Sequence, residues 1–65
     1  MELPNAPIER IIRKAGAERF SETAVEELRY ALEDLGSEIS ADASHMADHA
    51  ERNTLKKEDI EMATR

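Results

Sequence analysis

The stretch from Ser21 to Glu51, SETAVEELRYALEDLGSEISADASHMADHAE, decides the fold. Its apolar residues fall at Leu28, Leu32, Leu35, Ile39, Ala43, Met46 and Ala50, in steps of 4, 3, 4, 4, 3 and 4. That spacing lines one face of an α-helix. Val25, Ala31 and Ala47 widen the face. At 1.5 Å per residue, the roughly 29 residues from Glu22 to Ala50 span about 43 Å. A compact chain of this size has a radius of gyration of only ~11 Å. The flanking segments are too short to cover the stripe, so a second copy or a related chain is expected over it. The competing reading stops one helix at Gly36 and caps another with Ser37. The apolar phase runs through the glycine without a slip, and no loop residues separate the two halves. A single long helix is therefore predicted.

Working outward, Asn5 is the expected N-cap of a first helix over about residues 6–15. Pro7 sits in its first turn, where a missing N–H does no harm. Ile8, Ile11, Ile12 and Ala15 share a helical face. Lys14 lies near the helix end and Gly16 suits a left-handed stop. Residues 1–4 read as a short extended lead. Ala17 to Phe20 form a connector, Phe20 faces Val25 as in a hydrophobic staple, and Ser21 caps the long helix. Arg52, Asn53 and Thr54 form a second connector, and a short third helix starts near Lys56–Lys57 with Ile60, Met62 and Ala63 on its apolar side. Each connector carries one Arg (Arg19, Arg52) and one β-prone apolar residue (Phe20, Leu55). Two chains crossing antiparallel would bring unlike connectors together, with Phe20 and Leu55 in a short two-strand bridge.

The whole is 65 residues, one domain, expected to be all-α. A core this small rarely supplies more than ~3–5 kcal/mol, so oligomerisation is expected. The absence of Cys excludes disulfides, thiolate zinc sites and a thiol nucleophile. No apolar run approaches a membrane span, and the N-terminus lacks the basic-then-apolar order of a signal peptide.

The net charge of −6 is unevenly placed. Residues 21–51 hold nine acids against Arg29 alone, while residues 1–20 and 52–65 are each net +1. The acidity belongs to the outer face of the long helix, where solvation is its ordinary role; adaptation to high salt is a second reading. The basic ends suit phosphates, because guanidinium groups and free helix N–H groups would share a surface. Against that, Arg10, Arg13 and Arg19 could simply pair with Glu9 and Glu18 or lie in solvent.

The pattern resembles the histone fold, and the residues are similar to the archaeal histones. The likeness is carried by Met1-Glu2-Leu3-Pro4, Ala6-Pro7-Ile8, Arg10-Ile11-Ile12, Ala15-Gly16-Ala17-Glu18-Arg19, Arg52 with Thr54, and Glu58-Asp59-Ile60-Glu61 with Ala63. It implies a handshake dimer crossing at the long helices, with double-stranded DNA wrapped outside. It implies that Arg10 faces the DNA backbone, that Arg13 holds a usually basic, DNA-binding position, that Arg19 lies by the minor groove, and that Thr54 and Lys56 bind phosphate. It further implies an Arg52–Asp59 ion pair within the chain, a dimer–dimer contact through Met46, His49, Asp59 and Met62, and close approach of stacked dimers at Gly16. Homodimers, tetramers or larger assemblies, and pairing with another histone all belong to this expectation, as does a cytoplasmic, nucleoid-associated location. The chain departs from the family at Asn53, where Lys is usual, and at Ser37, His45 and Asp48, which replace basic residues.

His45 and His49 stand four apart, a spacing that can hold a metal, with Asp42 and Asp48 nearby. Met46 follows His45, so the H-E-x-x-H pattern of zinc proteases is absent. Pairing of His49 with Asp59 across dimers is the preferred reading, and neither a metal nor a cofactor is expected. Ser21, Ser37, Ser40 and Ser44 lack catalytic surroundings and there is no Gly-rich phosphate loop, so no enzyme is expected. Two functions remain: a DNA-packaging protein with little sequence preference, or an acidic histone-fold module that pairs with a more basic partner and binds DNA weakly.

Overall fold

The computed structural model describes residues 3–65; the first two residues of the expected lead lie outside them. Three helices follow in order: α1 (Asn5–Lys14), α2 (Glu22–His49) and α3 (Lys57–Ala63). No strand occurs among the described residues. The helix α2 is continuous over 28 residues and runs through Gly36 without a break. The chain clusters into two compact units, Met1–Asp34 and Leu35–Arg65.

In the first unit, Ile8 of α1 and Val25 of α2 are buried. The start of α1 differs from expectation. Pro4 holds the N-cap position in extended conformation and no side chain caps the helix. Asn5 is already helical, and its Oδ1 accepts from Arg29 Nη1 at 3.3 Å. Proline's fixed φ suits entry into a helix, while the Asn5 carboxamide oxygen accepts from the guanidinium instead of the backbone. The Arg29 Nε stays buried without a partner among the described residues. The Leu3 N–H donates to Glu33 Oε1 at 2.8 Å, tying the lead to α2. The end of α1 is a Schellman turn: Gly16 has φ +108°, its N–H donates to Arg13 O (3.0 Å), and the Ala17 N–H donates to Ile12 O (3.3 Å). Ser21 caps α2, its Oγ accepting the Ala24 N–H at 3.1 Å.

In the second unit, Ala43 and Ala47 of α2 are buried, and so is Asp59 of α3. Here α2 ends in the same kind of turn. The Arg52 N–H donates to Ala47 O and the Glu51 N–H to Asp48 O, both at 2.9 Å. The left-handed residue is Glu51, at φ +58°, a position that normally favours glycine. At the start of α3 the Asp59 carboxylate accepts the Lys56 N–H at 2.8 Å, closing the first turn in the manner of the N3 acid of a capping box.

Among the described residues, only Ile8, Val25, Ala43 and Ala47 are buried apolar ones. Leu28, Leu32, Ile39 and Met46 of the stripe are half-buried and Leu35 is 52% exposed. Each fully buried large apolar side chain contributes about 1.5–3 kcal/mol, and two of these four are alanines. The long helix thus presents apolar surface that its own chain leaves open, which is the physical demand for a partner.

Candidate nucleic-acid interface

The second connector is built around Arg52. Its Nη2 donates to Asp59 Oδ1 at 2.8 Å and its Nη1 to Asp59 Oδ2 at 2.9 Å. The same Nη1 reaches Thr54 O at 3.0 Å. The left-handed Glu51 turns the chain so that Arg52 can span from the end of α2 to the first turn of α3. The fork-shaped guanidinium matches a carboxylate in two parallel bonds, the strongest common arrangement of such a pair. The Arg52 bonds and the Lys56 N–H hold the Asp59 carboxyl down to a pKa of about 2. Asp59 in turn raises the pKa of Arg52. Arg52 is therefore a strut, and its charge is spent inside the chain.

Around this strut, Asn53, Thr54, Leu55 and Lys56 are exposed. The fixed backbone presents Thr54 and Lys56 to solvent at the mouth of α3, where a short helix offers free N–H groups.

In the first unit, Arg10, Arg13 and Lys14 are exposed and flank a surface groove with Pro7 and Ile11. Their spacing by three and four residues follows from the helix. The Arg13 guanidinium lies 5.2 Å from the Phe20 ring centroid, a cation–π distance that steadies the arm while leaving its charge accessible. Arg19 is exposed in the first connector. Among the described residues no ion pair ties Arg10, Arg13 or Arg19 to Glu9 or Glu18; the two salt bridges are Arg52–Asp59 and the exposed Lys57–Glu61.

At the end of α2, Met46 and His49 line one groove with Met62 of α3, together with Asp42, His45 and Ala63. Asp59, grouped with them by the family resemblance, does not line it. Its carboxylate already accepts three hydrogen bonds within the chain. Gly16 is open, since a Cβ there would meet nothing within 4 Å.

Sequence reasoning missed Glu51 as a left-handed residue, Asn5 as the partner of Arg29, and Arg13 over Phe20. The first carried no signal, because Glu is a poor choice for that backbone. The other two each pair an exposed residue (Asn5, Arg13) with a half-buried one (Arg29, Phe20), and periodicity does not reveal such pairs. Among the described residues no helix is long and apolar enough to cross a membrane.

A long central helix with an uncovered apolar face, flanked by two short helices on connectors that each carry an arginine, defines a chain that completes its core by pairing. Residues 1–64 match the family of histone-like transcription factors (CBF/NF-Y) and archaeal histones, and the chain belongs to it. It is 50% identical over 64 residues to one of the subunits of the archaeal histone HAN1 from Thermococcus zilligii, covering 98% of this chain and 96% of that relative. It is 47% identical over 64 residues to probable archaeal histone 3 of Methanocaldococcus jannaschii, covering 98% and 96% respectively. The fold is the histone fold, and the protein is a DNA-binding architectural protein of chromatin, not an enzyme. Histone dimerisation meets the demand set by the open stripe. The reading as an acidic module with little DNA binding is not favoured by this kinship.

Proposed function

We propose that the protein works as a homodimer that wraps and compacts duplex DNA in the nucleoid with little sequence preference. Arg10, Arg13, Arg19, Thr54 and Lys56 are its DNA-facing groups, Arg19 by the minor groove and Thr54 and Lys56 on phosphate. The observation that carries this is the division of labour among the cations. Arg52 is consumed by Asp59, whereas all five proposed groups are exposed. Contacts of this kind neutralise phosphate and fix position without reading bases. In the dimer, the first connector of one chain meets the second connector of its partner, and Phe20 pairs with Leu55 in a short bridge.

Dimers associate further through Met46, His49, Met62 and Asp59. The exposure of Met62 at 58% supports a need for cover there. One lone pair of Asp59 Oδ1 remains for His49 of a neighbouring dimer, since each carboxylate oxygen accepts about two bonds. The open space at Gly16 supports close approach of stacked dimers. Pairing with a second histone uses the same long-helix stripe.

The test is titration of random-sequence duplex DNA at several salt concentrations. Arg10→Ala and Arg19→Ala weaken binding alike on every sequence, while the dimer keeps its helicity. A parent protein that fails to bind at the lowest salt overturns the proposal.

A further inference from the structure

We propose that His45 and His49 form half of a divalent transition-metal site, completed by the same two residues of a second copy. The site goes beyond DNA packaging and rests on the reading of the α2 end as a contact between dimers. Both imidazoles are exposed and line the same open groove of about 720 Å³. Residues four apart on a helix have Cβ atoms about 5–6 Å apart on one face, a spacing from which two imidazoles can converge on one ion at about 2.0–2.1 Å each. Asp42 lines the groove as well. Its carboxylate adds negative charge that favours a cation, and it is the type of group that accepts the second N–H of a ligating imidazole, here that of His45. His49 ligates through one ring nitrogen and keeps the other N–H for Asp59 of the neighbouring dimer.

One chain cannot finish the site. Among the described residues no three His, Asp or Glu side chains are grouped so as to hold an ion. Zinc in a closed site takes four ligands, almost always in a tetrahedron, so two are missing. The rest of the groove wall is Met46, Met62 and Ala63, which offers weak ligands at best and apolar surface that itself wants cover. A two-fold contact places the same patch on both sides. It would supply a second His45 and His49 and cover the methionines in one step. Imidazole nitrogen suits Zn²⁺, Ni²⁺ and Cu²⁺, whereas Mg²⁺ prefers oxygen and water.

The experiment adds ZnCl₂ to the full-length protein without DNA, at a protein concentration low enough that the metal-free sample sediments as dimers, and follows assembly by sedimentation velocity and binding by calorimetry. Zinc raises the sedimenting mass above that of the metal-free sample, chelator reverses the rise, and Mg²⁺ produces none. Binding saturates near about one ion for each two chains, as a shared four-ligand site requires. His45→Ala weakens zinc binding by more than ~10-fold, the loss typical of even an outer partner. It abolishes the zinc-dependent mass and leaves metal-free sedimentation and DNA binding unchanged. The double variant Ser44→His with His45→Ala keeps the histidine count but shifts the spacing off one face, and it does not restore the response. The metal-free sample reports the dimer–dimer contact itself and the zinc-dependent increment reports this site, so each can fail alone. Absence of zinc binding by the parent, binding without added mass, or a mass increase that survives in His45→Ala overturns the proposal.

Discussion

Replacing Glu51 by glycine should make the protein more stable, although Glu51 makes no side-chain contact that the change would improve. Glu51 holds φ +58° at the end of α2. The left-handed region costs a residue with a Cβ roughly 1–2 kcal/mol, and glycine removes that cost. The carboxylate also stands one turn from the C-terminal carbonyls of α2, where an acid is disfavoured by about 0.3–1 kcal/mol. Against these gains, glycine loses about 0.5–1 kcal/mol more chain entropy on folding. The balance is a gain of about 1 kcal/mol per chain. For a domain of this size that raises Tm by about 4–8 °C, at a fixed protein concentration because pairing contributes to stability. Thermal melting by circular dichroism measures it. Glu51→Ala separates the two causes: it removes the charge and keeps the Cβ, so it should recover only the smaller, electrostatic part. Glu51→Asn, better suited to the left-handed region, should fall between alanine and glycine. If Glu51→Gly is no more stable than Glu51→Ala, backbone strain at this turn is not what limits the end of α2.

Helicity should fall on dilution and Tm should rise with concentration, since the stripe of α2 needs a partner; a folded monomer in sedimentation, with Tm independent of concentration, contradicts this. Asp59 ionises at about 2 in the folded chain and near 3.9 when unfolded. Its contribution is therefore fully present above about pH 4 and is lost as pH falls toward 2, and Asp59→Asn should flatten that part of the acid-denaturation curve relative to the parent. Asn53→Lys should tighten DNA binding and steepen log affinity against log salt by about 0.9 per added phosphate contact; an unchanged slope places residue 53 away from the duplex. Arg52→Lys should loosen the second connector, because an ammonium cannot reproduce the two-pronged bond to Asp59, and hydrogen exchange at the Lys56 and Asp59 amides reads the change.

Periodicity carried most of the fold. The steps between Leu28 and Ala50 fix α2 and its uncovered face, and Gly16 and Ser21 mark the ends between which the first connector must lie. Those signals are local, so one sequence contains them. The start of α1 was less legible. Asn5 is a good cap by type, but its carboxamide serves Arg29, 24 residues away, and no local rule weighs that competition. Glu51 ran against residue preference: the geometry of the turn is imposed by its neighbour Arg52, which must reach Asp59. The interface residues were legible by type and resemblance, whereas their availability was not. The resemblance already paired Arg52 with Asp59, and the structure shows that bond. That Arg10 and Arg19 stay exposed and out of ion pairs with Glu9 and Glu18 is visible only in the structure.

The four buried apolar side chains have a consequence for supply. If the core closes only on pairing, a newly made chain has no stable state in which to wait, and until it pairs it remains open to proteases that act on unfolded segments. Pairing is second order in chain, whereas degradation of the unpaired chain is first order. Halving synthesis therefore cuts the rate of dimer formation by more than half, and surplus chain without a partner is cleared. The amount of packaging protein on the chromosome then responds more steeply than the rate at which it is made, with no regulator other than the missing half of a hydrophobic core.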